Sequence, residues 1–183
     1  RLSAERGRYK SAERPERAIL PTISHPSQRD RSPTTWQSSP MNSGARPLAT
    51  ISGGSRGLGY ESARGLAAAG FDLALIAKDQ ERLESARQSL LSEFANTQAG
   101  LTITTHAVDL EDQVATRNMA TQMTTTLATP KVLMLAHGVM SEKMSKALLT
   151  TDAEWNRVIN INLNSVFILV NAIAPAMAEA RDG

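Results

Sequence analysis

Three glycines spaced as G-x-x-x-G-x-G, Gly53, Gly57 and Gly59, constrain the fold of this chain more than any other feature. They follow a short apolar run, LATIS at 48–52, and open a helix-like stretch at 57–70. Glycine after a strand allows a sharp turn, and glycine at a helix start lets the backbone approach a ligand closely. The sequence therefore predicts a strand, a tight turn and a helix.

Apolar runs and amphipathic stretches continue to alternate along the chain. Further strands are predicted at 71–77, 101–108 and 131–136, and further helices at 79–95, at 111–127 and from Thr151 toward Pro175, with Thr151 and Glu154 as a capping box. Such alternation predicts right-handed crossovers and a parallel sheet with helices on both faces. The expected fold class is α/β, a doubly wound parallel sheet.

The amino-terminal segment differs in composition from the rest. Residues 1–47 hold nine Lys or Arg, four acidic residues and six of the eight prolines, whereas 48–183 hold 11 basic and 14 acidic residues. Too little apolar surface is present to offset the entropy of ordering, so we expect a disordered basic tail at 1–46 and one domain at 47–183. Because the chain begins at Arg1, Met41 is a candidate natural start, and a mitochondrial transit peptide is the alternative interpretation of the tail.

Composition also excludes several kinds of site. The chain has no cysteine, which excludes disulfides and thiolate metal sites, and we predict no metal. The tail lacks a Lys/Arg block with interleaved aromatics, so we expect no nucleic-acid partner. No apolar stretch approaches the roughly 18 to 20 residues that span a bilayer. We therefore expect a soluble, cytoplasmic protein without a membrane partner.

The glycine loop is suited to a pyrophosphate, because free amides and the positive end of a helix dipole point toward a bound ligand. Such turns also serve simple close packing. The loop lies, however, in the first strand–helix turn of an alternating chain, where doubly wound sheets bind dinucleotides. This position favours a dinucleotide site.

The segment SGGSRGLG at 52–59 resembles the glycine motif of the short-chain dehydrogenase/reductase family. Three further segments match that family in order: VDL at 108–110, VLMLAHGV at 132–139 and ININLNSVF at 159–167. The resemblance covers 48–183. It implies a Rossmann-like sheet of strand order 3-2-1-4, reversible hydride transfer between a nicotinamide cofactor and a small carbonyl or alcohol substrate, and a homo-oligomer.

Candidate site residues follow from these motifs. Asp109 would contact the adenine, or alternatively cap the next helix. Asn162 would be catalytic, bending its helix and holding a water of the proton relay, or alternatively an ordinary buried amide bonded to backbone. The predicted cofactor-binding residues are Gly53, Ser55, Arg56, Gly57, Leu58, Gly59, Lys78, Asp109, Leu110 and Gly138.

The segment after the fourth strand departs from the family pattern Asn-Asn-Ala-Gly. Leu135 and Ala136 replace both asparagines and His137 replaces the alanine, while Gly138 is kept. The change removes side chains that tie the central strands together in the family. His137 is either a new proton-transfer group or a packed, hydrogen-bonded histidine.

The choice of nicotinamide cofactor depends on the end of the second strand. An acidic side chain there bonds the 2′-hydroxyl of NAD, and a basic one suits the 2′-phosphate of NADP. The sequence reads Ala77-Lys78, Asp79 is placed to cap the next helix, and Arg56 supplies a second positive charge. We predict NADP as the cofactor, with NAD as the alternative. Lys78 would contact the 2′-phosphate, or alternatively be an ordinary solvated surface lysine.

The family's catalytic Tyr-x-x-x-Lys pair and its serine are expected beyond the fourth strand and the next helix. The only tyrosines are Tyr9 and Tyr60, and neither precedes a lysine by four residues. We therefore expect the cofactor-binding half of an NADP-dependent oxidoreductase. The sequence as given should lack normal dehydrogenase activity. Its fourth strand should form an open, aggregation-prone edge of the sheet. The alternative is a non-catalytic protein that binds a nucleotide or pairs with a full-length relative.

Overall fold

The computed structural model describes residues 45–141 and 147–183. Most of the predicted tail, with Tyr9 and Met41, lies outside these residues, and its predicted disorder stays a prediction. Its last two residues, Ala45 and Arg46, are described, and the Arg46 guanidinium lies 3.0 Å from the Asp72 carboxylate, so Arg46 is ordered against the domain. The predicted domain at 47–183 lies almost entirely within them.

The described residues form four strands and five α-helices. The elements are β1 (Leu48–Ser52), α1 (Gly57–Ala68), β2 (Asp72–Ala77), α2 (Gln80–Phe94), β3 (Ile103–Ala107), α3 (Gln113–Thr126), β4 (Val132–Leu135), α4 (Asp152–Ile159) and α5 (Ser165–Ala180). A 3₁₀ turn at Ala147–Leu149 precedes α4, and a π-helical segment, Asn160–Asn164, joins α4 to α5. The predicted strands and helices are all present, with small shifts at most of their ends. The last predicted helix is interrupted by the π-helical segment and continues through Pro175 to Ala180.

The four strands form one parallel sheet of order β3-β2-β1-β4, as the resemblance implied. β1 is central and pairs through Thr50 with Ala74 of β2 on one side and with Leu133 of β4 on the other. The carboxyl ends of the strands therefore meet at one edge, where the loops to α1, α2, α3 and α4 begin.

The core lies on both faces of the sheet because side chains alternate along each strand. On one face, Ala74 and Ile76 of β2 pack in a cluster with Leu169 and Ile173 of α5. On the other face, Leu73 and Leu75 pack in a cluster with residues of α1 and α2, among them Ala63, Leu83 and Leu90. This two-sided burial is what the continuous apolar runs of β1 and β2 predicted.

β4 is the partly exposed edge of the sheet. All four of its residues are half-buried, and within the described ranges it pairs only with β1. The open, apolar edge expected from the sequence is thus present in this part of the chain.

The last helical stretch corrects one expectation. Asp152–Ala180 runs for 29 residues and is, by length and composition alone, apolar enough to cross a membrane, so the expectation that no stretch approaches this length was wrong. The core helix of a soluble protein has the same length and apolar composition. Ile168, Leu169 and Ile173 of this stretch are buried in the domain core.

Candidate functional site

An open cleft of about 370 Å³ lies at the carboxyl edge of the sheet. The predicted residues that line it are Gly53, Ser55, Arg56, Gly57, Lys78, Asp109, Leu110 and Gly138. Three predicted residues lie outside the lining: Leu58 is exposed, Gly59 packs under the glycine loop, and Asn162 contacts the lining residue Val139. Residues far apart in the chain are therefore brought to one cleft.

The glycine loop requires glycine at two positions for different reasons. Gly53 has a positive φ of 74°, which favours glycine. At Gly59 a Cβ atom would lie only 2.2 Å from the Gly53 carbonyl oxygen, so no side chain fits. The Gly53 amide donates to the Ile76 carbonyl at 2.8 Å, which ties the loop to the end of β2. The spacing thus produces a tight, anchored turn against the start of α1.

The start of α1 is suited to an anion. Its N-cap residue, Arg56, makes no side-chain capping bond, and the first turn contains no acidic residue. The first-turn amides of a helix have no intrahelical partner, and the helix dipole adds partial positive charge there. Together with the glycine turn, this end of α1 can cradle a phosphate group.

Among the described residues, three basic side chains line the cleft: Arg56, Lys78 and Arg82. Arg82 was not singled out from the sequence. It lies in the first turn of α2, three residues beyond Asp79, and its guanidinium is 3.5 Å from the Asp79 carboxylate. A basic residue one helical turn past the cap at the end of β2 is the signal that could have found it.

Lys78 and Asp109 join the ends of β2 and β3, with 2.5 Å between Nζ and Oδ2. The hydrogen bond and charge of Asp109 raise the pKa of Lys78. Burial alone would raise the pKa of Asp109, but the bonds from Lys78 and from the Glu111 amide lower it overall. Both groups are therefore charged at neutral pH, within a cleft whose walls are partly apolar.

Of the capping roles predicted from the sequence, the two that involve cleft residues have different outcomes. Asp79 caps α2, because its carboxylate accepts from the Arg82 amide at 2.9 Å, and this prediction is confirmed. The alternative role of Asp109 as the cap of α3 was wrong. Asp112 is the cap and accepts from the Val114 and Ala115 amides, each at 2.9 Å.

His137 is hydrogen-bonded through both ring nitrogens. Nδ1 lies 2.5 Å from Ser52 Oγ, and Nε2 lies 2.7 Å from Ser165 Oγ and 3.1 Å from the Ile161 carbonyl oxygen. Burial lowers the pKa of His137, and the Ile161 carbonyl only partly opposes this. These contacts match the packed, hydrogen-bonded interpretation of this residue.

Asn162 lies in the π-helical segment and binds the loop after β4. Its Nδ2 donates to the Val139 carbonyl and its Oδ1 accepts from the Val139 amide, both at 2.8 Å. The alternative interpretation, a buried amide bonded to backbone, is correct about the bonds and wrong about the burial, because Asn162 is exposed. π-Helical turns often occur at functional sites.

Residues 47–183 match the family model described as short chain dehydrogenase. Gluconate 5-dehydrogenase of Gluconobacter oxydans (strain 621H) is 30% identical over 141 residues, covering 77% of this chain and 51% of that protein. Levodione reductase of Leifsonia aquatica is 28% identical over 149 residues, covering 81% of this chain and 54% of that protein. The chain thus spans about half the length of the curated relatives it matches.

The fold is also similar to solved structures. A metagenomic short-chain oxidoreductase solved in complex with NADP superposes with a TM-score of 0.67 at 31% sequence identity. The likeness covers 75% of this chain and 59% of that one.

Proposed function

Because the chain belongs to the short chain dehydrogenase family, a family of oxidoreductases, we propose that its cleft binds NADP(H). In this proposal the 183 residues are the cofactor-binding part of an enzyme that transfers a hydride between NADP(H) and a carbonyl or alcohol. The observation that carries the proposal is the set of three basic side chains, Arg56, Lys78 and Arg82, around a glycine loop built for close backbone approach.

The residues present fit a phosphorylated dinucleotide. The pyrophosphate would lie against the glycine loop and the uncapped start of α1, where a Cβ at Gly59 would have no room. Lys78 and Arg56 would hold the 2′-phosphate, with Arg82 beside them, since an acidic residue is absent from the end of β2 itself. Asp79, the first acidic residue after β2 in the chain, accepts from the Arg82 amide as the cap of α2, which favours NADP over NAD.

The other predicted residues have supporting roles in this proposal. Asp109 and Leu110 would contact the adenine, and Gly138, which also lines the cleft, would lie beside the nicotinamide. When bound, the nicotinamide supplies or accepts the hydride. Asn162 holds the Val139 backbone, and its further role in a proton relay remains a prediction.

The substrate and assembly are also proposals. From the family we propose a small carbonyl or alcohol substrate and a soluble, cytoplasmic homo-oligomer. We also propose no nucleic-acid partner, and no membrane partner, since Ile168, Leu169 and Ile173 of the apolar last helix are buried in the core. The exposed Leu163, Phe167 and Val170 on the last helical stretch support a subunit contact.

A second candidate function is supported by the sequence. Among the 183 residues no tyrosine is followed by lysine four positions later. A protein of this sequence would then bind NADP(H), or pair with a full-length relative, without turnover.

Calorimetric titration of the full chain with NADPH and with NADH tests the proposal. We expect NADPH to bind at least about tenfold more tightly, because charged hydrogen bonds to a phosphate contribute about 1.5–3 kcal/mol. Equal affinities, or tighter binding of NADH, would contradict the NADP assignment. Carbonyl reduction above background in the same preparation would contradict the non-catalytic alternative.

A further inference from the structure

His137 connects β1, the segment after β4 and the end of the π-helical segment. Its three partners, Ser52, Ser165 and the Ile161 carbonyl, come from positions 85, 28 and 24 residues away in the chain. Ser52 and Ser165 are fully buried. A buried hydroxyl without a partner is costly, so each serine depends on the imidazole for part of its bonding.

The hydrogen-bond directions assign one form of the ring. Ser165 Oγ donates to the Ile161 carbonyl at 2.6 Å, so its oxygen is left to accept from Nε2–H of His137. Nδ1 then carries the lone pair and accepts from the Ser52 hydroxyl. The neutral Nε2–H tautomer satisfies every group in this network.

The network fixes backbone that lines the cleft. The Ala136 amide donates to the Ser52 carbonyl at 3.0 Å on one side of His137, and Asn162 holds Val139 on the other. A Cβ atom at Gly53 would lie 2.8 Å from the His137 amide nitrogen, so the glycine loop packs directly on this backbone. A shift at residues 136–139 is therefore transmitted to the glycine loop.

We propose that His137 is a positioning residue of the cofactor cleft: its neutral ring ties β1 to the π-helical segment and so fixes residues 136–139 and the glycine loop. The proposal rests on the proposed function only for the ligand of the cleft. In the family pattern, asparagine side chains just before this position tie the central strands together. In this chain one imidazole, that of His137, makes the connection between β1 and the π-helical segment. In this proposal the imidazole does not exchange protons with a substrate.

The test compares four forms of the full chain: wild type, His137→Ala, His137→Gln and His106→Gln. Glutamine retains one donor and one acceptor but cannot transfer a proton, so it separates positioning from acid–base chemistry. His106 is the matched control, because it is also a half-buried histidine with a pKa lowered by burial, and it does not line the cleft. The readouts are amide exchange at Ala136 and Val139 by NMR, NADPH affinity by calorimetry and the fold by circular dichroism.

We expect His137→Ala to raise exchange at Ala136 and Val139 and to weaken NADPH binding, each by about tenfold, since the buried Ser52 hydroxyl loses its acceptor and Ser165 Oγ loses one of its two partners. In His137→Gln the exchange rates and the NADPH affinity should stay within about threefold of wild type. In His106→Gln both should equal the wild-type values. Two results would overturn the proposal. One is an amide exchange rate in His137→Ala equal to that of wild type, and the other is a loss in His137→Gln as large as the loss in His137→Ala.

Two further results are also decisive. If wild type does not bind NADPH, the proposed function fails, and the exchange rates still decide the role of His137. If His137→Ala does not fold, Ser165→Ala carries the test, because it keeps the imidazole and removes one partner. Exchange at Ala136 and Val139 should then rise about threefold, and unchanged exchange would overturn the proposal.

Discussion

Lys78 Nζ lies 2.5 Å from Asp109 Oδ2, so the cation that we propose for a 2′-phosphate is already paired with a carboxylate. The lysine side chain is nonetheless 73% exposed, and an ammonium group can donate three hydrogen bonds. A phosphate can therefore share the ammonium with Asp109 without fully breaking the pair.

Lys78→Met should weaken NADPH binding about tenfold and change NADH binding by less than about twofold, because only the phosphorylated cofactor loses a charged hydrogen bond. Calorimetry with both cofactors measures this difference. Lys131→Met is the matched control, since Lys131 also pairs with a carboxylate, Asp182 at 2.6 Å, and does not line the cleft. An equal loss for both cofactors would contradict the assigned role of Lys78.

Gly59→Ala and Gly65→Ala in α1 should have opposite effects on stability. At Gly59 a Cβ atom would lie 2.2 Å from a backbone oxygen, so this variant should lose several kcal/mol, as strongly overpacked sites do, and lose cofactor binding. At Gly65 a Cβ atom meets nothing within 4 Å, so alanine should stabilise the helix by about 0.5–1 kcal/mol. Urea unfolding of both variants checks this, and a neutral Gly59→Ala would show that the close approach is not required.

The free energy of unfolding should fall as pH decreases from about 6.5, the ordinary histidine value. Burial lowers the folded-state pKa of His137 and His106, so the unfolded chain binds protons first. The stability from neutral histidine is thus fully present above about 6.5 and is lost as pH falls toward the lower folded pKa. The slope cannot exceed about 1.4 kcal/mol per pH unit for each proton, and solvent screening at these half-exposed rings makes it smaller.

Urea unfolding at pH 7, 6 and 5 measures this dependence. His137→Gln and His106→Gln should each flatten it, and the double variant should be flatter than either. An unchanged slope in His137→Gln would assign the acid sensitivity to another group.

Asp112→Ala should destabilise the domain by about 1 kcal/mol, the usual cost of removing a helix N-cap. Asp109→Ala should cost less, because Asp109 bonds only the Glu111 amide and the exposed Lys78. Urea unfolding of the two variants distinguishes them. A larger loss of unfolding free energy in Asp109→Ala than in Asp112→Ala would indicate that Asp109, and not Asp112, caps α3.

The strands and helices could be predicted because their signals are local. The apolar runs at 48–52 and 71–77 and the alternation with helices specify a parallel sheet without long-range information. The cap at Asp79 is equally local, since its partner lies three residues away. Such features depend on neighbouring residues alone.

Apart from Arg82, whose signal is local, the parts that were missed depend on contacts between distant residues. Asp109 and Asp112 both precede α3, and the tertiary pairing of Asp109 with Lys78 separates their roles. The partners of His137 are 24 to 85 residues away, so its bonding could not be read from its motif. Sequence spacing gave no measure of these distances.

The π-helical segment Asn160–Asn164 also changes the phase of the helix that contains it. One extra residue in a turn rotates everything that follows by about 100° about the axis. α4 buries none of its residues, while α5, which follows the segment, turns Ile168, Leu169 and Ile173 into the core. Within the segment itself, the Ile161 carbonyl contacts the His137 ring and Asn162 bonds Val139, on the two sides of Gly138. A single-residue deletion here would therefore misalign the apolar face of α5 and the cleft wall together.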